Sequence, residues 1–404
     1  MRKVLLHVGA PKTGTSFVQD LLFQNRERLA TEGVLYPADR FDAHFLAALD
    51  LMQLPWGGLE EQAVGAWDRL AKQVRAWPGT AIVSHEILAT ASKDHARRAK
   101  ESFGPDVELH VVASVRDLVR QIPAEWQENV KHRRVLRYQQ FLAQIMDPDA
   151  TGTIPTWFWS VQDVPAILDR WAGDLPPERI HVVTVPRPGA PPRLLWERFA
   201  HVFDLDPEAF DVDTVQRANP SLGVAETAML RRLNQRLNGR LANEHYREFV
   251  RELLAHRTLS RRPDKVPLRL PDEVHEWAVE LSESWIRELG GRGYDVVGSL
   301  DDLRPRSEHE PFSDPDRARQ RLIADSALHS LETVLVRTAE LRTEVDELRR
   351  RVAELEVERD IARSEIRWSL RKRRELLAKA DERPSTRLML RGYRAVKRRI
   401  RRTR

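Results

Sequence analysis

The stretch Val4-Leu5-Leu6-His7-Val8-Gly9-Ala10-Pro11-Lys12-Thr13-Gly14-Thr15-Ser16 decides the fold of this chain. Val4 to Val8 is a short apolar run rich in β-formers, the pattern of a parallel strand buried on both faces. Gly9 to Ser16 is a turn of small residues. Beyond it Val18, Leu21, Leu22 and Leu29 recur at helical spacing, so a helix is expected over 17–29. Strand, glycine turn and helix in that order suit a phosphate: backbone N–H groups line the turn, and the positive end of the helix dipole lies behind it. The plain alternative is an ordinary strand-to-helix turn with Lys12 at the surface.

The lysine position discriminates among phosphate binders. A Walker A loop reads G-x-x-x-x-G-K-[ST], with lysine directly after the second glycine. Here Gly9 and Gly14 have the right separation, but Thr15 follows Gly14 and the lysine sits inside the loop at Lys12. The segment Pro11-Lys12-Thr13-Gly14-Thr15-Ser16 resembles the 5′-phosphosulfate loop of sulfotransferases that use 3′-phosphoadenosine 5′-phosphosulfate (PAPS). The resemblance continues through Gln162-Asp163, Asp169-Arg170-Trp171, Ile180 to Pro186, Leu195 to Phe199 and Tyr294 to Gly298, and is of an actinobacterial type. It covers residues 1–304. It implies PAPS as co-substrate, no metal, and an α/β P-loop-like three-layer sandwich with a central parallel sheet.

The rest of the chain agrees with that architecture. Strands are expected at 80–84, 107–115 and 180–185. Helices are expected at about 59–76, 93–102, 117–145, 163–173, 191–203, 224–257 and 271–289. Alternating strands and helices build a parallel sheet covered on both faces. With 404 residues, 41% of them hydrophobic, there is material for one large domain and accessories. The chain has no cysteine, which removes disulfides and thiolate chemistry. No apolar run reaches the length of a membrane span, and Leu5 and Leu6 already belong to the first strand. A cytoplasmic location follows as the expectation.

The strand at 107–115 runs into Arg116, at the carboxyl end where open α/β sheets bind ligands. The resemblance implies that Arg116 grips the 3′-phosphate of PAPS, a role suited to the guanidinium fork. The same resemblance usually has a serine where this chain has Ala124. Asn219 and Ser221, in Arg217-Ala-Asn-Pro-Ser-Leu222, are candidates to replace it; Asn-Pro-Ser also reads as a helix-opening turn. Lys12 would take up charge on the leaving phosphate oxygen. Thr13, Gly14, Thr15 and Ser16 would hold the 5′-phosphate, with Pro11 shaping the loop. The acceptor must lose a proton, and His85 and Glu86 end the strand at 80–84, so both are candidate bases, Glu86 first. Trp126, Trp157-Phe158-Trp159 and residues 36–60 are candidates to wall an acceptor pocket, although such aromatics also serve as core.

Residues 305–316 read as a linker. From 317 to 370 a heptad pattern places Leu331, Thr338, Val345, Val352, Arg359 and Ile366 on one seam position. Val334, Leu341, Leu348, Leu355, Ala362 and Ser369 fall on the other, which argues for a coiled coil and a homodimer. The alternative is a single helix folding back on the body. Residues 371–404 form a basic stretch in which Leu388, Leu390, Tyr393, Val396 and Ile400 interleave with Arg and Lys, a signature of an anionic membrane surface. No zinc-finger spacing or other nucleic-acid motif is present, so no specific nucleic acid is expected as partner. Two competing functions share these features: a P-loop nucleotide kinase or NTPase, and a catalytically decayed sulfotransferase-like scaffold acting through its coiled coil.

Overall fold

The computed structural model describes residues 2–214, 221–305, 311–382, 389 and 391–393. Asn219 and the tail residues Leu388, Leu390, Val396 and Ile400 lie outside them. Two compact units divide the chain, Met1–Ser330 and Leu331–Arg404.

The first unit is an α/β structure around a six-stranded sheet in the order β2-β3-β1-β4-β5-β6. The strands are β1 Arg2–His7, β2 Val34–Leu35, β3 Thr80–Ser84, β4 Val107–Val115, β5 Ile180–Thr184 and β6 Asp295–Val297. Every pairing is parallel, with Leu5 of β1 opposite Ile82 of β3 and His110 of β4. Because side chains alternate across a strand, the sheet feeds two cores. Val4, Leu6, Val83, Val111, Ala113 and Val182 enter the larger core. Leu5, Ile82, Val112 and Val183 enter a smaller one, closed by Val18, Leu21 and Leu22 of the helix Thr15–Gln24 and by Trp196, Phe199 and Phe203 of the helix Leu194–Phe203. Both faces are covered, which is why the strands read as unbroken apolar runs.

Four expected helices are interrupted; the 17–29 segment divides at Asn25 into Thr15–Gln24 and Arg26–Thr31. The 59–76 segment breaks at Gly65 (φ +71°), where the Asp50 carboxylate accepts from Gly65 N (3.1 Å) and Trp67 N (3.0 Å) and so starts the helix Ala66–Ala76. The 117–145 segment divides into Leu118–Lys131 and Tyr138–Met146. Between them Arg133 is left-handed (φ +71°), with its guanidinium 4.3 Å from the Tyr246 ring centroid. The 224–257 segment ends its first helix at Leu237, before Asn238 and Gly239, both at positive φ.

The C-terminal helix starts at Gln320 and is continuous to Glu382. Its opening turns belong to the first unit: Ile323, Ser326 and Ser330 are buried, and Arg262 bonds to Ser326 and Asp325. In the second unit the side chains of Leu331, Val345, Leu348, Val352 and Leu355 are exposed. No helix of the described residues is long and apolar enough to cross a membrane.

Candidate functional site

The loop between β1 and the Thr15 helix sits at the carboxyl edge of the sheet and is held from below by β4. Ala10 N donates to Ser114 O (2.8 Å) and Ser114 N to Gly9 O (2.6 Å). Under it, His7 bridges two strands: Nδ1 meets Ser84 Oγ at 2.7 Å and Nε2 meets Ser114 Oγ at 3.1 Å. Ser114 Oγ in turn meets Thr13 Oγ1 at 2.5 Å. Burial lowers the His7 pKa to about 4, with the Glu86 charge opposing and His85 adding to the fall, so the ring is neutral at pH 7.

Four consecutive loop carbonyls are anchored. Gly9 O accepts from Ser114, Ala10 O from Thr13 Oγ1 (2.6 Å), Pro11 O from Gln121 Nε2 (2.7 Å) and Lys12 O from Arg116 Nη1 (3.0 Å). In a trans peptide the C=O and the following N–H point in opposite directions. Anchoring Pro11 O and Lys12 O therefore turns the N–H groups of Lys12 and Thr13 to the other side, away from Gln121 and Arg116. Lys12 itself is left-handed (φ +64°), a conformation that costs a non-glycine residue about 1–2 kcal/mol. Gly14 (φ +86°) opens the Thr15 helix, and a Cβ there would run into Leu195. No side chain caps that helix and no acidic residue lies in its first turn.

Charged groups converge beside the loop. Asp117 caps the Leu118–Lys131 helix by accepting from Arg120 N (2.9 Å). Gln121, Glu125 and Glu128 then share one helix face at i, i+4 and i+7. Lys12 Nζ lies 2.5 Å from Glu128 Oε2, and the same carboxylate faces His132 Nε2 (3.2 Å), Arg251 Nη2 (3.4 Å) and Lys131 Nζ (3.8 Å). Burial alone would raise the Glu128 pKa, but Lys12, His132, Lys131 and Arg251 hold it well below the usual carboxylate range. Burial also lowers Lys131 to about 8. Glu125, bonded to Trp157 Nε1 (3.2 Å) and Gln162 Nε2 (3.4 Å), is raised by burial despite Lys12. Arg116 is lowered to about 10 by burial and by Arg120, and its Nε is buried with no hydrogen-bond partner.

Both candidate bases stand at this edge, in different chemical states. His85 Nδ1 accepts from Ile87 N (3.2 Å), so a neutral His85 carries its proton on Nε2; burial lowers its pKa. Such a ring has no free lone pair for a substrate proton. Glu86 Oε2 accepts from Gln19 Nε2 (2.8 Å) and lies 4.0 Å from His85 Nδ1. Burial pushes the Glu86 pKa up, but His85, Gln19, its own backbone N–H and Lys12 bring it below the ordinary value. Glu86 is therefore ionised at neutral pH and able to accept a proton.

Thr13 is fully buried with its hydroxyl used inside the loop, whereas Pro11, Gly14 and Ser16 are half-buried and Thr15 is buried. Ala124 is half-buried. Ser221 is exposed, and its carbonyl accepts from Lys265 (3.0 Å). The aromatics separate into two groups. Trp126 and Phe158 are core, and Trp159 Nε1 bonds to Ile145 O (3.1 Å). Trp157 instead joins Trp56 (5.8 Å between ring centroids), which reaches His132 (6.0 Å) and Phe45 (5.6 Å), and Phe45 meets His85 (5.0 Å). These half-buried rings connect residues 36–60 to the charged centre. Glu128, Gln19 and Gln121 were not legible as site residues. For Gln121 and Glu128 the one signal is polar residues at i, i+4 and i+7 on one face of an amphipathic helix.

Fold and loop define an α/β protein with a six-stranded parallel sheet and a charged centre at its carboxyl edge. Comparison with protein-family models, with curated proteins and with solved structures returns no match.

Proposed function

We propose that this chain is a sulfotransferase that moves a sulfuryl group from PAPS to a hydroxyl or amine of a carbohydrate, lipid or small-molecule acceptor. The observation that carries the reading is the loop itself. Its four anchored carbonyls, the strained Lys12 and the uncapped Thr15 helix form a cradle for an anionic group with a lysine inside it. The sheet order, with the loop strand β1 between β3 and β4, supports a P-loop-like architecture. The buried, unpartnered Nε of Arg116 beside this loop fits a second phosphate.

In the transfer the bond between sulfur and the bridging phosphate oxygen breaks while one forms between sulfur and the acceptor atom. The acceptor proton goes to a base, and adenosine 3′,5′-bisphosphate leaves. Lys12 stabilises charge on the leaving oxygen, the backbone N–H groups of the loop and the Thr15 helix orient the 5′-phosphate, and Arg116 holds the 3′-phosphate. Glu86 takes the proton, with Gln19 fixing its carboxylate. In the absence of donor Lys12 rests on Glu128, and it must leave that partner to serve the reaction. Trp56 and Trp157 offer ring faces to the acceptor.

Calorimetry with adenosine 3′,5′-bisphosphate tests the reading first, followed by transfer of labelled sulfate from PAPS onto a panel of glycans, lipids and phenols. Binding and label transfer are expected. Magnesium-dependent ATP turnover without bisphosphate binding would instead make the chain a nucleotide kinase or NTPase. Failure to bind either nucleotide would make it a scaffold.

A further inference from the structure

The helix Gln320–Glu382 carries an apolar seam that its own chain leaves exposed in the second unit. Leu331, Val345, Leu348, Val352 and Leu355 are each 40–65% accessible. A helix with such a stripe gains its stability by covering it. We infer that a second copy of this chain covers it, as a parallel, in-register, two-stranded coiled coil over residues 331–358.

Three features of the helix select that arrangement. The first is side-chain shape. With Leu331 at an a position, Thr338, Val345 and Val352 occupy the following a positions and Val334, Leu341, Leu348 and Leu355 the d positions, so from Thr338 on a is β-branched and d is leucine. β-Branched residues at a with leucine at d favour two parallel strands, because each packing angle suits one branching pattern. The second is charge. In a parallel pair each g residue faces the e residue of the next heptad on the partner. Glu344 then meets the partner's Arg349 and Arg351 meets the partner's Glu356. The mismatched pair is Arg337 with Arg342, and within its own helix Arg337 is already 3.0 Å from both Glu340 and Glu344.

An antiparallel pair is poorer. Placing Val345 over Leu355 and Leu348 over Val352 matches Arg342 with Glu356 but sets Glu344 against Glu358 and brings Arg349 and Arg351 each onto its own copy. Sliding one heptad, to put Val345 over Leu348, gives the same charge balance as the parallel pair (Glu344–Arg351 and Arg337–Glu358 matched, Arg342–Arg349 clashing) but lays Arg359 over Val334 and Ala362 over Leu331, so the apolar seam is shorter. The third feature is the end point. Arg359 takes the next a position, where two guanidinium groups would meet, so the tight seam stops after Leu355. The paired segment is about 40 Å long at 1.5 Å per residue.

The absence of cysteine gives a clean test. The full-length variant Leu348→Cys places one thiol at a d position, and Arg350→Cys places one on the outer face. Under mild oxidation Leu348→Cys is expected to form a covalent dimer and Arg350→Cys to remain uncrosslinked, with a dimeric mass for the untreated protein by light scattering. Val345→Glu combined with Leu348→Glu is expected to give a monomer whose first unit melts at the unchanged temperature. A monomeric or trimeric native mass would overturn the proposal. So would crosslinking of Leu348→Cys only when mixed with a Val352→Cys or Val345→Cys variant, which reports antiparallel strands. None of these readouts depends on the enzymatic reading.

Discussion

At the amino edge of the sheet, Glu108, His110, His181 and Asp295 close on one another. Glu108 Oε1 meets His110 Nε2 at 2.8 Å, His110 Nδ1 meets His181 Nε2 at 2.8 Å, and His181 Nδ1 meets Asp295 Oδ2 at 2.6 Å, with the two rings stacked. At the carboxyl edge of the same strands, Lys12 is strained, Arg116 has an orphaned Nε, and one carboxylate, Glu128, faces Lys12, Lys131, Arg251 and His132. Four ring nitrogens find four partners at one edge. At the other, the polar groups are incompletely matched. Buried polar groups that satisfy each other stabilise a fold, whereas groups held apart from full satisfaction mark where something else binds.

Mutations at the two edges should therefore separate function from stability. The largest effect is expected at Lys12→Met, which removes the charge at the leaving oxygen. Transfer from PAPS should fall by about a hundred- to a thousandfold, while the thermal midpoint shifts little, because Lys131, His132 and Arg251 still face Glu128. A variant that melts early with intact transfer would reverse the contrast between the edges. The next effect is a pH dependence of stability. His7 is held neutral in the fold, with its pKa depressed to about 4 from 6.5. The unfolded chain thus takes up a proton on this ring between pH 6.5 and about 4 that the native state refuses. Stability contributed above pH 6.5 is lost as pH falls through that window, on the order of 3 kcal/mol for His7 by linkage. His44, also buried and lowered to about 4, adds in the same direction. Denaturant melts across the window check it, and in His7→Asn the pH slope should be shallower.

Smaller effects sharpen the comparison. Arg116→Gln should weaken binding of adenosine 3′,5′-bisphosphate by roughly ten- to a hundredfold, the worth of a charge-assisted hydrogen bond, as read by calorimetry. Unchanged affinity would show that Arg116 serves the loop carbonyl alone. At the closed edge, His110→Phe should cost about 1–3 kcal/mol of stability by leaving its partners unpaired, with nucleotide binding intact.

The sheet-forming strands β1, β3, β4 and β5 were legible because burial on both faces forces continuous apolar runs. β2 and β6 were not, since Val34–Leu35 and Asp295–Val297 are too short to show a period. The loop residues and the His85-Glu86 pair were legible from residue chemistry at strand ends. Glu128 was not, because a glutamate near the end of an amphipathic helix reads as solvated until Lys12, Lys131 and Arg251 are seen around it. Of the aromatics, the Trp56–Trp157 contact joins segments far apart in sequence, and no local pattern separates Trp157 from its core neighbour Phe158.

By itself the sequence determined what local periodicity and residue type dictate: the parallel strands, the glycine turn with its internal lysine, and the heptads of the last helix. The tertiary structure alone decided where the 59–76 and 117–145 segments break, which carboxylate Lys12 rests on, and that Gln19 bonds to Glu86. Those outcomes depend on hydrogen bonds and charges between residues distant in sequence, whose energies exist only once the chain has brought them within a few ångströms of one another.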